Sequence, residues 1–338
     1  MKIEGRSWLR KAKVWLDQRG IMLMYHRVEN LKHDPWQLAV SPAHFEEQMQ
    51  VIQKYARPVQ MCQMGKDLKK FLCGRREIVV TFDDGYADNF TKAKPILERY
   101  GIPATFFIVT SAIDKQEEFW WDELERIILD AVTLPGSFDL DIASIKYSWS
   151  IDPDKGKKLN ASEGSNKIPA NGSVLSRIGF YYALWQILGK LSFSGRQESL
   201  EQLRHWAQQS VNPRKAYLPM SSAELTSLSR EPLFEIGAHT VRHANLSLLP
   251  VGEQEEEISS SKRDLEQILD QPVTSFSYPF GNYSTETPKL VERSKFLNAC
   301  IGAKRPVTRN MNPYLMPRFG VNDWDGDQFE KNLQSWLS

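Results

Sequence analysis

Between residues 78 and 109 the chain runs strand, helix, strand at a spacing that leaves few folds open to it. Ile78 to Phe82 is a β-rich apolar burst ending in Asp83-Asp84-Gly85. Asn89 to Tyr100 has helical periodicity, and Ala104 to Val109 is a second apolar burst. That is a βαβ unit, and it predicts parallel pairing of the two strands.

The same rhythm recurs on both sides. Ile21 to Tyr25 reads as a strand before it, followed by a helix over Pro42 to Tyr55 with Phe45, Met49 and Ile52 on one face. Phe234 to Gly237, Phe276 to Tyr278, Ala299 to Gly302 and Leu315 to Val321 read as later strands, with a long helix over Val251 to Leu269. About seven strands with intervening helices predict an α/β fold, a distorted (β/α)7-type barrel. The rhythm breaks over residues 111–232, which read as a long helical insertion, and the 338 residues are enough for one large domain carrying it. Phe119 to Val132, Phe180 to Leu191 and Leu200 to Ala207 have helical patterns. Residues 152–173 are rich in Lys, Asn, Ser, Gly and Pro, and read as a loop with little to bury. Insertions of this kind often wall a site. Trp120 and Trp121 are either a platform for a sugar ring or ordinary helix core.

Composition narrows the partners. Lys plus Arg is 43 and Asp plus Glu is 42, so the net charge of +1 argues against binding nucleic acid by bulk electrostatics. The longest apolar run, Phe180 to Trp185, is far too short to span a bilayer. Cys62, Cys73 and Cys300 form no CxxC or CxxH pair, which speaks against a disulfide framework or a zinc knuckle. Residues 1–19 place Trp8, Leu9, Ala12, Trp15 and Leu16 on one helical face, and six basic residues against Glu4 and Asp17 leave a net +4. This segment is either an amphipathic helix docked on the domain 20–338 or an interfacial helix in peripheral contact with an anionic membrane. It lacks the apolar core and cleavage site of a secretory signal, so the expected location is cytoplasmic, at the inner membrane surface if the helix binds lipid.

Three motifs carry chemistry. Two adjacent carboxylates, Asp83 and Asp84, at the end of a buried strand are costly unless something positive stands nearby, and strand ends are where barrels keep their sites. They can divide the labour, one binding a cation and the other accepting a proton. Asp88, just before the next helix, reads as a cap. His239 and His243, four apart and directly after a strand, can grip one metal ion. One carboxylate and two imidazoles make an open three-ligand site that suits zinc, whose bound water is acidified towards neutrality. Ser277-Tyr278-Pro279-Phe280-Gly281 by itself is a turn; read with the other two motifs it can place a backbone N–H beside such a metal.

TFDDG, HxxxH and YPFG in this order, with Gly101 to Phe107 between the first two, resemble the polysaccharide deacetylase (NodB-homology) family, carbohydrate esterase family 4. The similarity covers about 20–110 and 234–321. The resemblance implies Asp83 as general base, Asp84, His239 and His243 as ligands of Zn2+ or another divalent transition metal, and the Phe280 amide as oxyanion donor. It implies a metal-dependent N-deacetylase acting on a poly-, oligo- or lipid-linked saccharide. An amide hydrolase of another kind (formamide or cyclic imide) and a catalytically lost carbohydrate-binding protein are the rivals. The chain departs from the pattern in two places. Ser277 stands where the third motif usually carries Arg, and no His follows His243 to serve as the late catalytic residue. Tyr25-His26 near the start resembles permuted members acting on poly-N-acetylglucosamine, so His26 is the expected general acid, against a structural histidine. Arg318 is the candidate to replace the lost Arg beside Asp83, against a buried structural Arg. His33, His44 and His205 show no constellation.

Overall fold

The computed structural model describes residues 18–64, 76–142, 144–152 and 168–337. The basic segment 1–17, Cys73 and most of the polar loop, 153–167, lie outside the described residues. Residues 18 and 19, read from the sequence as the end of the first helix, instead begin a strand.

Seven parallel strands close into a barrel: β1 (Gln18–Tyr25), β2 (Glu77–Phe82), β3 (Ala104–Ile108), β4 (Phe234–Ala238), β5 (Ser275–Ser277), β6 (Asn298–Gly302) and β7 (Met316–Gly320). Each strand neighbours the next in chain order, and β1 closes the ring by pairing with β7 on one side and β2 on the other, in register from Gly20 opposite Glu77 to Tyr25 opposite Phe82. A bridge from Val307–Thr308 lies antiparallel on the start of β1, and Arg57–Pro58 adds to β2.

Alternation along the strands makes two separate cores. Ile21, Leu23, Ile78, Val80, Phe82, Phe106, Ile236 and Phe276 pack outward into the large cluster under the helices. Met22, Val79, Phe107 and Cys300 form a smaller cluster with Val59, Met61 and Val307. Each aliphatic side chain buried this fully contributes about 1.5–3 kcal/mol. Helix Pro42–Tyr55 starts where expected, because Ser41 caps it by accepting from the His44 N–H and Pro42 fills its first position. Gly101, in the left-handed region at φ 60°, ends helix Lys94–Tyr100 and turns the chain into β3.

A second compact unit covers Gln116–Leu218, inside the 111–232 stretch marked out by the sequence. The flanks stay with the barrel: the Thr110 and Ser111 N–H groups donate to Thr240 and Val241, and the Met220 N–H donates to Gly85. The unit holds helices Trp120–Ile128, Arg177–Leu188 and Phe193–Ala207. It also holds a small sheet of Ser137–Ile142, Ile145–Ile151 and Ser173–Leu175, an addition to the helical insertion expected there: Phe138, Leu140 and Ile142, then Ile145, Tyr147, Trp149 and Ile151, alternate with polar residues at the period of a strand. Trp120 and Trp121 pack into this unit against Trp185 and Phe119, which favours the core reading for both. Among the described residues no helix is long and apolar enough to cross a membrane, and Cys62 and Cys300 are unbridged thiols.

Candidate metal centre and active site

The site is built at the C-terminal ends of β2, β4, β5 and β7. After Phe82 the ladder persists for one more bond, from the Asp83 N–H to the Tyr25 carbonyl (3.0 Å), and then Asp84 and Gly85 turn away at φ 73° and 83°. Asp is one of the few side-chain-bearing residues that visits this region readily, and Gly85 must be small, since a Cβ would stand 2.9 Å from Ile108 Cδ1. The segment after β4 is bent likewise, with Thr240 at φ 65° and His243 at φ 53°. Glu257 accepts the N–H groups of Val241 and Arg242, both at 2.9 Å, and holds that bend.

These turns bring three buried groups together. His239 Nε2 lies 3.6 Å and His243 Nε2 3.3 Å from Asp84 Oδ1, and one donor atom from each residue falls within 4.8 Å of the others. Charge-assisted hydrogen bonds run shorter, about 2.7–2.9 Å. Ligands about 2.0–2.1 Å from a tetrahedral ion stand roughly 3.4 Å apart, so the spacing fits a shared cation. The donor set fits as well. His239 Nδ1 donates to the Ser277 carbonyl at 2.8 Å, and a carbonyl can only accept, so Nε2 presents its lone pair to Asp84. Burial holds the His239 imidazole below its ordinary range despite Asp83 and Ser277, which favours the neutral, ligating form.

Arg318, on β7, meets Asp83 with both terminal nitrogens, Nη1 to Oδ1 at 2.6 Å and Nη2 to Oδ2 at 2.7 Å. The same nitrogens donate to Thr81 Oγ1 (3.0 Å) and Ser277 Oγ (2.8 Å). Burial alone would push the Asp83 carboxyl up, but Arg318, and after it His239, hold it well below the usual carboxylate range. Asp83 is therefore an anion in contact distance of the triad, 4.0 Å from His239 Nε2.

His26 follows β1 on the same barrel end. It is partly buried and close enough to Asp83, Arg318 and His239 for their charges to bear on it, and burial lowers its pKa to about 4. Phe280 sits in the turn Pro279–Gly281 at φ 58°, with its ring edge-on to His243 at 4.6 Å between centroids and its side chain 44% exposed.

Comparison with known proteins decides the family. The polysaccharide deacetylase family model matches residues 73–134 and 203–298. The chain belongs to the polysaccharide deacetylase family. Protein YxkH of Bacillus subtilis is 20% identical over 259 residues, covering 76% of this chain. The chain spans only 56% of the length of that relative. Among solved structures, BC0361, a polysaccharide deacetylase from Bacillus cereus, is similar at TM-score 0.56 and 18% identity, covering 94% of this chain and 69% of that one. IcaB from Ammonifex degensii is similar at TM-score 0.55 and 16% identity, covering 95% and 97%. At such identity the likeness speaks for the fold, the seven-stranded barrel already described.

The family match takes in Asp83, Asp84, His239, His243 and Phe280, and leaves His26 and Arg318 outside it. Those two come from β1 and β7, the strands that flank the closure of the barrel in this deacetylase-family chain. Three features escaped the sequence. Asp88 caps nothing; its backbone is already helical at φ −65° and ψ −23°, not extended as a cap requires, and its carboxylate instead pairs with Arg27 at 2.8 Å and accepts the Val28 N–H at 3.1 Å. Glu257 was hidden as one acid among several in the helix Val251–Leu269. His44 pairs with Asp323 at 2.7 Å on the outside of the barrel, a contact that 279 residues of separation concealed.

Proposed function

We propose that this chain is a metal-dependent N-deacetylase that hydrolyses the N-acetyl group of an N-acetylated sugar in a poly-, oligo- or lipid-linked saccharide. The observation that carries it is the convergence of Asp84, His239 and His243 beside an anionic Asp83 in a polysaccharide deacetylase-family chain. Asp84, His239 and His243 would hold a divalent ion, for which zinc suits the donor set, and when bound it supplies Lewis acidity towards water and the acetyl carbonyl.

The protein's own groups do the rest. Asp83, kept anionic by Arg318, accepts the proton of the attacking water. Arg318 fixes the direction of that carboxylate, since two prongs leave it no rotation. The Phe280 amide is assigned to the oxygen that becomes negative as the acyl carbon is attacked. His26 is assigned the transfer of a proton to the leaving amine. Burial favours its neutral form at rest, so the proton it gives is the one Asp83 takes from the water, passed on as the acyl C–N bond breaks. For location we carry the reading of a cytoplasmic protein, at the inner membrane surface if the basic segment 1–19 binds lipid, which fractionation and vesicle co-sedimentation test.

The test is acetate release from a panel of N-acetylated oligosaccharides, with and without a chelator. Release that the chelator abolishes and zinc restores is the expected result. Activity indifferent to chelation, or no acetate release while an N-formyl or cyclic imide substrate offered in parallel is hydrolysed, defeats the assignment.

A further inference from the structure

Residues 86–92, the run that follows the Asp83-Asp84 turn, grip residues 26–29 at every step. Asn89 Nδ2 donates to the His26 carbonyl at 2.9 Å and to Asp88 Oδ1 at 2.8 Å. Asp88 takes Arg27 Nε on one oxygen and the Val28 N–H on the other, with both side chains of the ion pair only 3% exposed. The Arg27 guanidinium lies over the Tyr86 ring at 4.1 Å, and Lys92 pairs with Glu29. A buried ion pair is weak evidence for stability, because desolvation offsets much of its attraction. What this one does is directional: it ties the β1 end that bears His26 to the β2 end that bears Asp83.

We infer that Asp88, with Arg27 and Asn89, is a positioning residue that aims the His26 imidazole at the leaving group; this rests on the reading of His26 as general acid. Asp88 touches no reacting atom. Its effect is confined to the step in which the leaving amine must be protonated, while the triad and Asp83 are held by other contacts (Glu257, Ser277 and Arg318). An aryl acetate, whose phenolate leaves without a proton, bypasses that step.

The experiment compares wild type, His26→Ala, Asp88→Asn and Asn89→Ser, each loaded with zinc, on an N-acetylated chitooligosaccharide and on an aryl acetate. Zinc affinity and thermal melting are measured alongside. Asp88→Asn and Asn89→Ser are expected to lower kcat on the sugar amide by on the order of tenfold or more, with KM and zinc affinity unchanged and aryl acetate turnover nearly intact. Asn89→Ser leaves the buried ion pair whole, so it carries the test if Asp88→Asn fails to fold. Parallel losses on both substrates, or no loss on either, overturn the positioning role. If His26→Ala itself leaves the amide-to-ester ratio unchanged, the acid assignment fails, and the positioning role falls with it.

Discussion

Arg318 clasps Asp83 with two nitrogens at 2.6 and 2.7 Å across 235 residues of sequence, and Ser277 lies in the same network, accepting from Arg318 at 2.8 Å and donating to Asp83 at 3.3 Å. A family position that usually holds the arginine is occupied here by a small hydroxyl, and the cation arrives from β7 instead. Arg318→Lys keeps the charge but loses the fork, and kcat should fall about 10- to 100-fold with the protein still folded. Arg318→Met leaves Asp83 buried and uncompensated, and should cost about 3–5 kcal/mol by urea denaturation. A fully active Arg318→Met would remove Arg318 from the site.

The metal assignment makes a sharp division among neighbours. Alanine at Asp84, His239 or His243 should abolish stoichiometric zinc binding by calorimetry, whereas Asp83→Asn should retain zinc and lose turnover. A saturating ion held only by the folded state also raises stability, by about 2.7 kcal/mol at a hundredfold excess over Kd. Chelation should therefore lower the melting temperature of wild type and Asp83→Asn, and leave His239→Ala unmoved.

Gly237 lies two residues before His239, and a Cβ there would stand 2.5 Å from Phe107 Cδ1 and 3.0 Å from the Ser275 carbonyl. Gly237→Ala should destabilise by about 1–3 kcal/mol and weaken zinc binding by displacing the His239 segment. Adding Phe107→Leu should recover part of the loss. Melting curves and zinc titration on the three variants check it.

Glu235, at the opposite end of β4, is largely buried and accepts from Ser275, Thr105 (3.3 Å) and Thr274 (3.4 Å). Burial raises its pKa above the ordinary glutamate value, more than the three hydroxyls lower it. A carboxyl raised in the folded state binds its proton there more tightly than in the unfolded chain. Its contribution is therefore whole below the unfolded pKa and is lost as pH rises through the folded one. Glu235→Gln should match wild type in stability near pH 4 and exceed it, by on the order of 1 kcal/mol, at pH 7. Equal melting temperatures across that range would refute it.

Much of the barrel was legible because each strand is short, apolar and punctuated. Helices Pro42–Tyr55 and Val251–Leu269 begin and end where their periodicity says, one capped by Ser41 and the other opening after Pro250. The sheet of Ser137–Ile142, Ile145–Ile151 and Ser173–Leu175 was less legible, because it leaves an alternation of period two and not a continuous apolar run like that of β2, and its burial comes from packing Phe138 and Trp149 against Phe180. Asp88 was misread because an acid before a helix looks the same whether it caps or crosses to Arg27.

Local order along the chain determined the kinds of groups present: a carboxylate pair after one strand, an imidazole pair after another, a tight turn after a third. Spacing of a few residues sets which side a side chain leaves a strand or turn, and that much needs no fold. Which cation serves Asp83, which loop holds His26, and that Asp84 lies 3.3 Å from His243 depend on the ring closing between β1 and β7. Contacts across hundreds of residues leave no period in a sequence. They exist only once parallel pairing has fixed every strand end on one rim.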